Sequence, residues 1–103
     1  MDKLVAIFEM QRDFLEKYGL SLNDKDVHLA LIVEVVEALA ETPWKTWKKH
    51  QKPVDRDKYI MELADIMHFF VEAALLHDID ADELFAAFCL KNNINRDRQE
   101  RGY

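Results

Sequence analysis

The alternation of apolar and polar positions along this chain predicts four helices. In the first segment, apolar side chains recur at intervals of three and four residues, as they do on one face of a helix: Leu4, Ile7, Phe8, Phe14, Leu15 and Tyr18. Gly19 supplies a stop, so we expect the first helix over residues 2–18. Gln11 is the polar exception on this stripe. It is either a partly exposed amide at the core edge or a buried amide that donates and accepts hydrogen bonds.

The next two helical segments, residues 27–41 and 59–71, are apolar around most of their circumference. Such a pattern is typical of a helix that is buried on most sides. The expected boundaries are set by Pro43 after the second helix and His77 near the end of the third, and the fourth helix runs to about Arg98. Capping residues are expected at Asn23 or Asp24, at Asp55 or Asp57, and at Asp80, where Glu83 completes a capping-box pattern.

Both apolar segments carry a narrow acidic stripe. At about 100° per residue, Glu34, Glu37 and Glu41 fall on one side of the second helix. Glu62 and Asp65 fall on one side of the third, in line with Phe69. Because an unpaired ionised carboxylate in a dry interior costs several kcal/mol, these groups need a partner.

The apolar segments contain no Lys or Arg that could be this partner. A divalent cation shared by Glu34, Glu37, Glu62 and Asp65 would supply the charge. An all-oxygen ligand set indicates magnesium, with manganese or calcium as alternatives, rather than zinc. The simpler interpretation is that each acidic pair faces solvent.

The loop from Pro43 to Pro53 is rich in basic and aromatic residues. It is either a basic connector whose tryptophans pack on the helices, or a lid. In the lid interpretation, Trp44 and Trp47 offer stacking surface for a planar base, and Lys45, Lys48 or Lys49 offer charge for phosphates.

The fourth helix changes character midway. We expect its first half to pack inward through Leu84, Phe85, Phe88 and Cys89, with Cys89 as a buried structural thiol. In its second half, Lys91, Asn95 and Arg98 share one face, which suits either a phosphate clamp or a frayed, solvated end. His68, one turn after Asp65, is either a hydrogen-bonded core residue or a ligand or substrate contact.

Composition narrows the class of protein. The 103 residues suit one domain, 1–103, and half of them are hydrophobic, whereas only two are glycine and two proline. A chain this short buries a limited share of its surface, so we expect a homodimer or homotetramer. A net charge of −6 argues against nucleic-acid binding. The single cysteine and the lack of a signal peptide or membrane span indicate a cytoplasmic protein.

An acidic cluster, a basic helix end and a Trp-rich basic loop together suit a magnesium-bound nucleoside triphosphate. The chain has no Gly-x-x-x-x-Gly-Lys-Ser/Thr motif, so it is not a P-loop enzyme. No serine or cysteine lies in a nucleophile motif, which favours direct attack by water activated by a metal and a carboxylate base.

These residues also resemble a known family. Glu34-x-x-Glu37 followed by Glu62-x-x-Asp65 is similar to the ExxE…ExxD signature of the all-α nucleoside triphosphate pyrophosphatases, the MazG-like superfamily. Asp65-Ile66-Met67-His68-Phe69 and the ending from Lys91 to Tyr103 look like the dimeric dUTPase branch. The resemblance implies a four-helix bundle completed by oligomerisation, and hydrolysis of dUTP to dUMP and pyrophosphate.

The resemblance also implies roles for individual residues. Four carboxylates would hold magnesium, and one of them, Glu34, would orient or deprotonate the attacking water. Lys91, Asn95 and Arg98 would bind phosphate oxygens, from the same or a neighbouring subunit. His68 and Phe69 would face the deoxyribose, and Gln11 with Trp47 or Trp44 would contact uracil.

The chain departs from this branch in two respects. It is shorter, and residues 12–15 lack the second amide that usually follows the N-terminal glutamine. The alternatives are therefore a dCTP or non-canonical nucleotide pyrophosphatase, or a non-catalytic helical module that binds nucleotides or oligomerises. A di-iron bundle is weaker, because Asp65-x-x-His68 has no counterpart on a second helix.

Overall fold

The computed structural model describes residues 2–102 and confirms the all-α architecture, with no strand among these residues. Met1 and Tyr103, the last residue of the motif-bearing ending, lie outside the described residues. The four helices are α1 (Lys3–Tyr18), α2 (Asp24–Ala40), α3 (Arg56–Leu75) and α4 (Ala81–Glu100).

Side chains just before each helix satisfy its first free backbone N–H groups. The Oδ1 atom of Asn23 accepts from the Asp26 N–H at 2.8 Å, and that of Asp55 accepts from the Lys58 N–H at 3.3 Å. These contacts decide the two positions that the sequence left open. Asp80 accepts from the Glu83 N–H at 2.8 Å, as the capping pattern predicts.

Gly19 ends α1 in the left-handed conformation, with φ of 61°. Its own N–H bonds back to Glu16 and the next N–H bonds to Leu15 O, so carbonyls of the last turn are satisfied.

A small core lies where α1, α3 and the start of α4 meet. It is built on Phe8, Val71, Ala74 and Ala81, with Leu84 among the partly buried residues packed against it. The long apolar helix α2 packs on α3, with Val27 and Ala38 buried. The contacts between helices join α2 to α3, α1 to α3 and α1 to α4.

Much apolar surface stays uncovered in a single chain. The expectation that α2 is buried on most sides is wrong for one protomer, since Ile32, Val33 and Val36 are each more than half exposed. The Cα radius of gyration is 16.9 Å, against about 13 Å for a compact domain of this length.

The prediction for the first half of α4 is also largely wrong. Leu84 packs inward, but Phe85 is 62% and Phe88 71% exposed, and Cys89 is exposed rather than buried. The physical reason is that α4 contacts only α1 among the described helices, so no neighbour covers these side chains. None of the four described helices combines the length and apolar character that crossing a bilayer requires.

The burial of Val71 in the core leads to a prediction about the stability of the fold. Val71 is fully buried, so Val71→Ala removes apolar contacts and leaves a cavity, and we expect a loss of about 2 kcal/mol in the free energy of unfolding. Urea denaturation at fixed protein concentration measures it. Val54→Ala, in the exposed loop, is the matched control and should change stability by less than about 0.5 kcal/mol. Equal effects of the two substitutions would contradict this description of the core.

Candidate functional site

The packing of α2 against α3 brings the two acidic pairs together. One carboxylate oxygen from each of Glu34, Glu62 and Asp65 lies within 4.8 Å of the others. The helical spacing sets this cluster, because i and i+3 side chains share a face and the two faces meet at the helix contact. The sequence prediction that the two acidic stripes converge is therefore what the structure shows for these three residues.

Glu37 and Glu41 lie at the edge of this cluster. The carboxyl group of Glu37 hydrogen-bonds to that of Glu34, and its charge acts on both Glu34 and Glu62. Glu41 acts on Glu62 through its charge. The fourth predicted ligand is thus adjacent to the other three, but outside the set whose oxygens converge within 4.8 Å.

The clustered carboxylates Glu34 and Glu62 have no compensating positive charge among residues 2–102. The Oε2 atoms of Glu34 and Glu62 are buried and have no hydrogen-bond partner among the described residues. Burial raises the pKa of Glu34, and the hydrogen bond and negative charge of Glu37 raise it further. Burial also raises the pKa of Glu62, with the charges of Glu37, Asp65 and Glu41 adding to it.

This donor set fits a hard divalent cation. Orphaned carboxylate oxygens in one cluster are the ligands that magnesium and manganese prefer, and a cation among them would offset both the desolvation and the mutual repulsion. No nitrogen or sulfur ligand belongs to the cluster, which argues against zinc.

Gln11 and His68 form a hydrogen-bonded pair beside the cluster. Gln11 is 6% exposed, which selects the buried-amide interpretation of this residue. Its Oε1 lies 2.6 Å from Nδ1 of His68, so the imidazole Nδ1 carries the hydrogen in this contact. The pair joins α1 to α3 and holds both side chains in fixed positions.

Two cavities flank this pair. One, of about 440 Å³, is lined by Gln11, His68, Asp65 and Phe69 and therefore adjoins the carboxylate cluster. The other, of about 620 Å³, has an almost wholly apolar wall that includes Met10 and Met67. The first cavity brings together three of the five residues that were predicted to contact the nucleoside.

Glu72 also lines the cavity beside the carboxylates, and the sequence reasoning missed it. It is 3% exposed, and burial raises the pKa of its carboxyl group. A pattern could have found it: Glu72 lies seven residues after Asp65 and three after Phe69, so it continues the stripe of α3 that carries the acidic pair.

The tryptophans lie elsewhere, in the loop between α2 and α3. Trp44 and Trp47 pack edge to face with ring centroids 5.7 Å apart, and Trp47 is largely exposed. Trp44 lines a separate cavity of about 600 Å³, together with Lys45, Lys48 and Glu41. This cavity shares no lining residue with the cavity beside Gln11 and Asp65.

The predicted phosphate-binding residues are not brought to the cluster within one chain. Lys91, Asn95 and Arg98 are exposed in the second half of α4, and among residues 2–102 only the start of α4 reaches the core that it shares with α1 and α3.

The fold and site define an all-α protein with a carboxylate cluster suited to a divalent cation beside a nucleoside-sized cavity. The sequence profile of a family described as dUTPase matches residues 3–79, three quarters of the chain. The chain belongs to this family.

Two curated relatives support the same placement. A dCTP pyrophosphatase of Enterobacteria phage LZ5 is 35% identical, over 65% of this chain and 45% of the relative. A dCTP pyrophosphatase of Enterobacteria phage T4 is 32% identical, over 65% of this chain and 46% of the relative. The chain thus spans less than half the length of these relatives. A search of solved structures gave no match.

The raised pKa values predict a pH dependence of stability. Between the ordinary glutamate pKa of 4.5 and the raised pKa of Glu62 in the folded protein, the folded state binds more protons than the unfolded state. Each rise in pH across this window therefore lowers the stability contributed by Glu62. Glu62→Gln, which does not titrate, should gain stability relative to the wild-type protein as pH rises from 4.5.

Thermal unfolding in chelator, measured at a series of pH values, checks this expectation. If the cluster holds Mg²⁺, saturating Mg²⁺ should reverse the ranking, because an ion held by the ionised wild-type cluster would stabilise only the folded state. A wild-type protein that gains stability relative to Glu62→Gln across the same window would contradict it.

Proposed function

We propose that this chain is a magnesium-dependent pyrophosphohydrolase of pyrimidine deoxynucleoside triphosphates, with dUTP converted to dUMP and pyrophosphate as the first candidate reaction. The observation that carries the proposal is the convergence of Glu34, Glu62 and Asp65, two of them with buried, unpartnered oxygens, at the edge of a cavity of nucleoside size. Membership of the dUTPase family supports it.

Glu34, Glu62 and Asp65, with Glu37 beside them, would hold the magnesium ion. The chemistry that the ion supplies when bound is neutralisation of phosphate charge and acidification of the attacking water.

Glu34 is the candidate base. Its Oε2 atom is buried and accepts no hydrogen bond from residues 2–102, so this oxygen can accept a proton. From this position Glu34 would accept the proton of the attacking water.

The cavity supports the roles proposed for the nucleoside contacts. Phe69 would form an apolar wall against the deoxyribose, where a 2′-hydroxyl would find no hydrogen-bond partner. The Gln11 amide, fixed by His68, would present hydrogen-bonding groups to the base. Trp44 lines a different cavity and Trp47 is largely exposed, so both would reach the base only if the loop closes over it.

dCTP is the second candidate substrate. Both curated relatives are named dCTP pyrophosphatase, and the chain lacks a second amide in residues 12–15. Uracil and cytosine differ only in the hydrogen-bonding groups at positions 3 and 4, so one cavity could accept either base.

Completion of the site by a second copy of the chain is also proposed. α4 carries Lys91, Asn95 and Arg98 on an arm that contacts only α1, and large apolar residues remain exposed on α2 and α4. A homodimer or homotetramer would cover these side chains and could bring the basic arm of one subunit to the carboxylates of another.

A nucleotide panel with Mg²⁺ tests the proposal. We expect release of pyrophosphate from dUTP or dCTP, and little from ribonucleotides or purine deoxynucleotides. Glu62→Gln should lower kcat by at least about 100-fold without loss of helical circular dichroism, since it removes a cluster carboxylate. Glu9→Gln, on the exposed side of α1, is the matched control and should keep wild-type activity. Tight nucleotide binding without hydrolysis would instead favour the alternative hypothesis, a non-catalytic helical module that binds nucleotides.

Arg98→Ala tests the role of the C-terminal arm. If Arg98 binds phosphate oxygens, its loss should raise KM about tenfold or more and affect kcat less, because a charge-assisted contact to the substrate is removed. Mixing Arg98→Ala with Glu62→Gln should recover activity at low substrate concentration if the site is shared, since some mixed dimers then hold one intact site. If Arg98→Ala leaves both kcat and KM unchanged, Arg98 does not bind the phosphates.

A further inference from the structure

Glu72 is a buried carboxyl group that neither the metal cluster nor the reaction uses. It is 3% exposed and lies in the apolar part of α3 between Val71 and Ala73. No ion pair among residues 2–102 involves it, and it does not belong to the group of convergent carboxylates. Because burial of a carboxyl group without a partner is unfavourable, its presence calls for a ligand or a structural role.

The cavity beside Glu72 suggests the ligand. Glu72 lines this cavity together with Asp65, Phe69 and Gln11. Along α3, Asp65, Phe69 and Glu72 follow one another on one stripe, and the rise of a helix separates Asp65 from Glu72 by about 10 Å. A nucleotide whose phosphates bind at the carboxylate cluster and whose sugar lies against Phe69 would therefore extend its base toward Glu72.

We propose that Glu72 reads the pyrimidine base by accepting a hydrogen bond from the 4-amino group of cytosine, and so admits dCTP to the site. This inference rests on the function proposed above. A glutamate oxygen is a natural acceptor for this amine. Uracil carries a carbonyl oxygen at the same position, which can pair only with a donor.

The protonation state of Glu72 refines the selectivity. Burial raises the pKa of its carboxyl group, which favours the neutral acid more than in an exposed glutamate. The neutral acid can accept from the 4-amino group and donate to N3 of cytosine, or donate to O4 and accept from N3–H of uracil. The ionised group can pair with the cytosine amine but repels uracil O4. Cytosine is thus recognised in both states and uracil in only one.

A competing explanation assigns Glu72 a structural role. Glu72 also lines a neighbouring groove, where Arg12 of α1 is among the lining residues. If Glu72 stabilises the contact between α1 and α3, its replacement should affect all ligands alike.

Binding of two matched probes separates these explanations. The probes are α,β-imido dCTP, which resists hydrolysis at the reacting bond, and its counterpart with a 2-pyrimidinone base, which lacks the 4-amino group. Calorimetry with Mg²⁺ gives both Kd values. We expect the wild-type chain to bind the dCTP analogue about tenfold more tightly or better, as one base-specific hydrogen-bonded contact predicts.

Glu72→Met should abolish this preference, so that the two probes bind with Kd values within about twofold of each other. Methionine has a similar volume and is apolar, so the fold should tolerate it, and circular dichroism checks this. Glu72→Gln keeps an acceptor oxygen and should retain most of the preference. Glu9→Met, on the exposed side of α1, is the control and should retain all of it.

Equal weakening of both probes by Glu72→Met, or a wild-type chain that binds both alike, would overturn the inference. Hydrolysis of dCTP and dUTP by the wild-type chain, measured in parallel, tests the proposed function separately. If the wild-type chain hydrolyses dCTP or dUTP but Glu72 does not determine the preference between the two probes, the inference about Glu72 is wrong and the proposed function stands. A Glu72-dependent preference without turnover would uphold the inference and remove the proposed catalysis, and failure to bind either probe would remove both.

Discussion

Mutual repulsion among carboxylates at the contact of α2 and α3 is the constraint on which the rest of the structure depends. Packing two apolar helices brings Glu34, Glu62 and Asp65 within 4.8 Å of one another and leaves two of their oxygens buried without partners. The desolvation and like charges that raise the pKa of Glu34 and Glu62 would be offset by a divalent cation. The contact between the two helices therefore carries like charges that a divalent cation would offset, and such an ion would link the stability of the fold to pH and to metal.

One helix, α3, orders the candidate site along its axis. Its stripe runs from the carboxylates Glu62 and Asp65, past Phe69, to the buried Glu72. In the function proposed above, these acidic, aromatic and acidic side chains would lie against the phosphates, the sugar and the base of a nucleotide in turn. α1 contributes the opposite wall through Gln11, which the hydrogen bond to His68 fixes in place. A small chain can thus build an extended binding site from few elements, because a helix repeats a face at regular intervals.

The same small size leaves much apolar surface uncovered in a single chain. Only a few side chains form the core around Phe8 and Val71, whereas large apolar residues of α2 and α4 stay exposed. A chain of this length has too little volume to cover two apolar helices on all sides. Association of two or more chains would cover the remaining apolar surface. The same association would bring the basic second half of α4 to the carboxylates of another chain.

The sequence by itself determined the four helices, most of their caps and the acidic stripes, because these features depend on local hydrogen bonding and on the helical repeat. It could not decide whether Gln11 is buried, whether Phe85 and Phe88 pack inward, or what Glu72 faces, since these outcomes depend on which helices pack together. Tertiary structure decided them: the contact between α1 and α3 buries Gln11 and Glu72, whereas α4 touches only α1 and leaves its aromatic residues exposed. Periodicity fixes the direction of a side chain on its helix, and only packing fixes what lies in that direction.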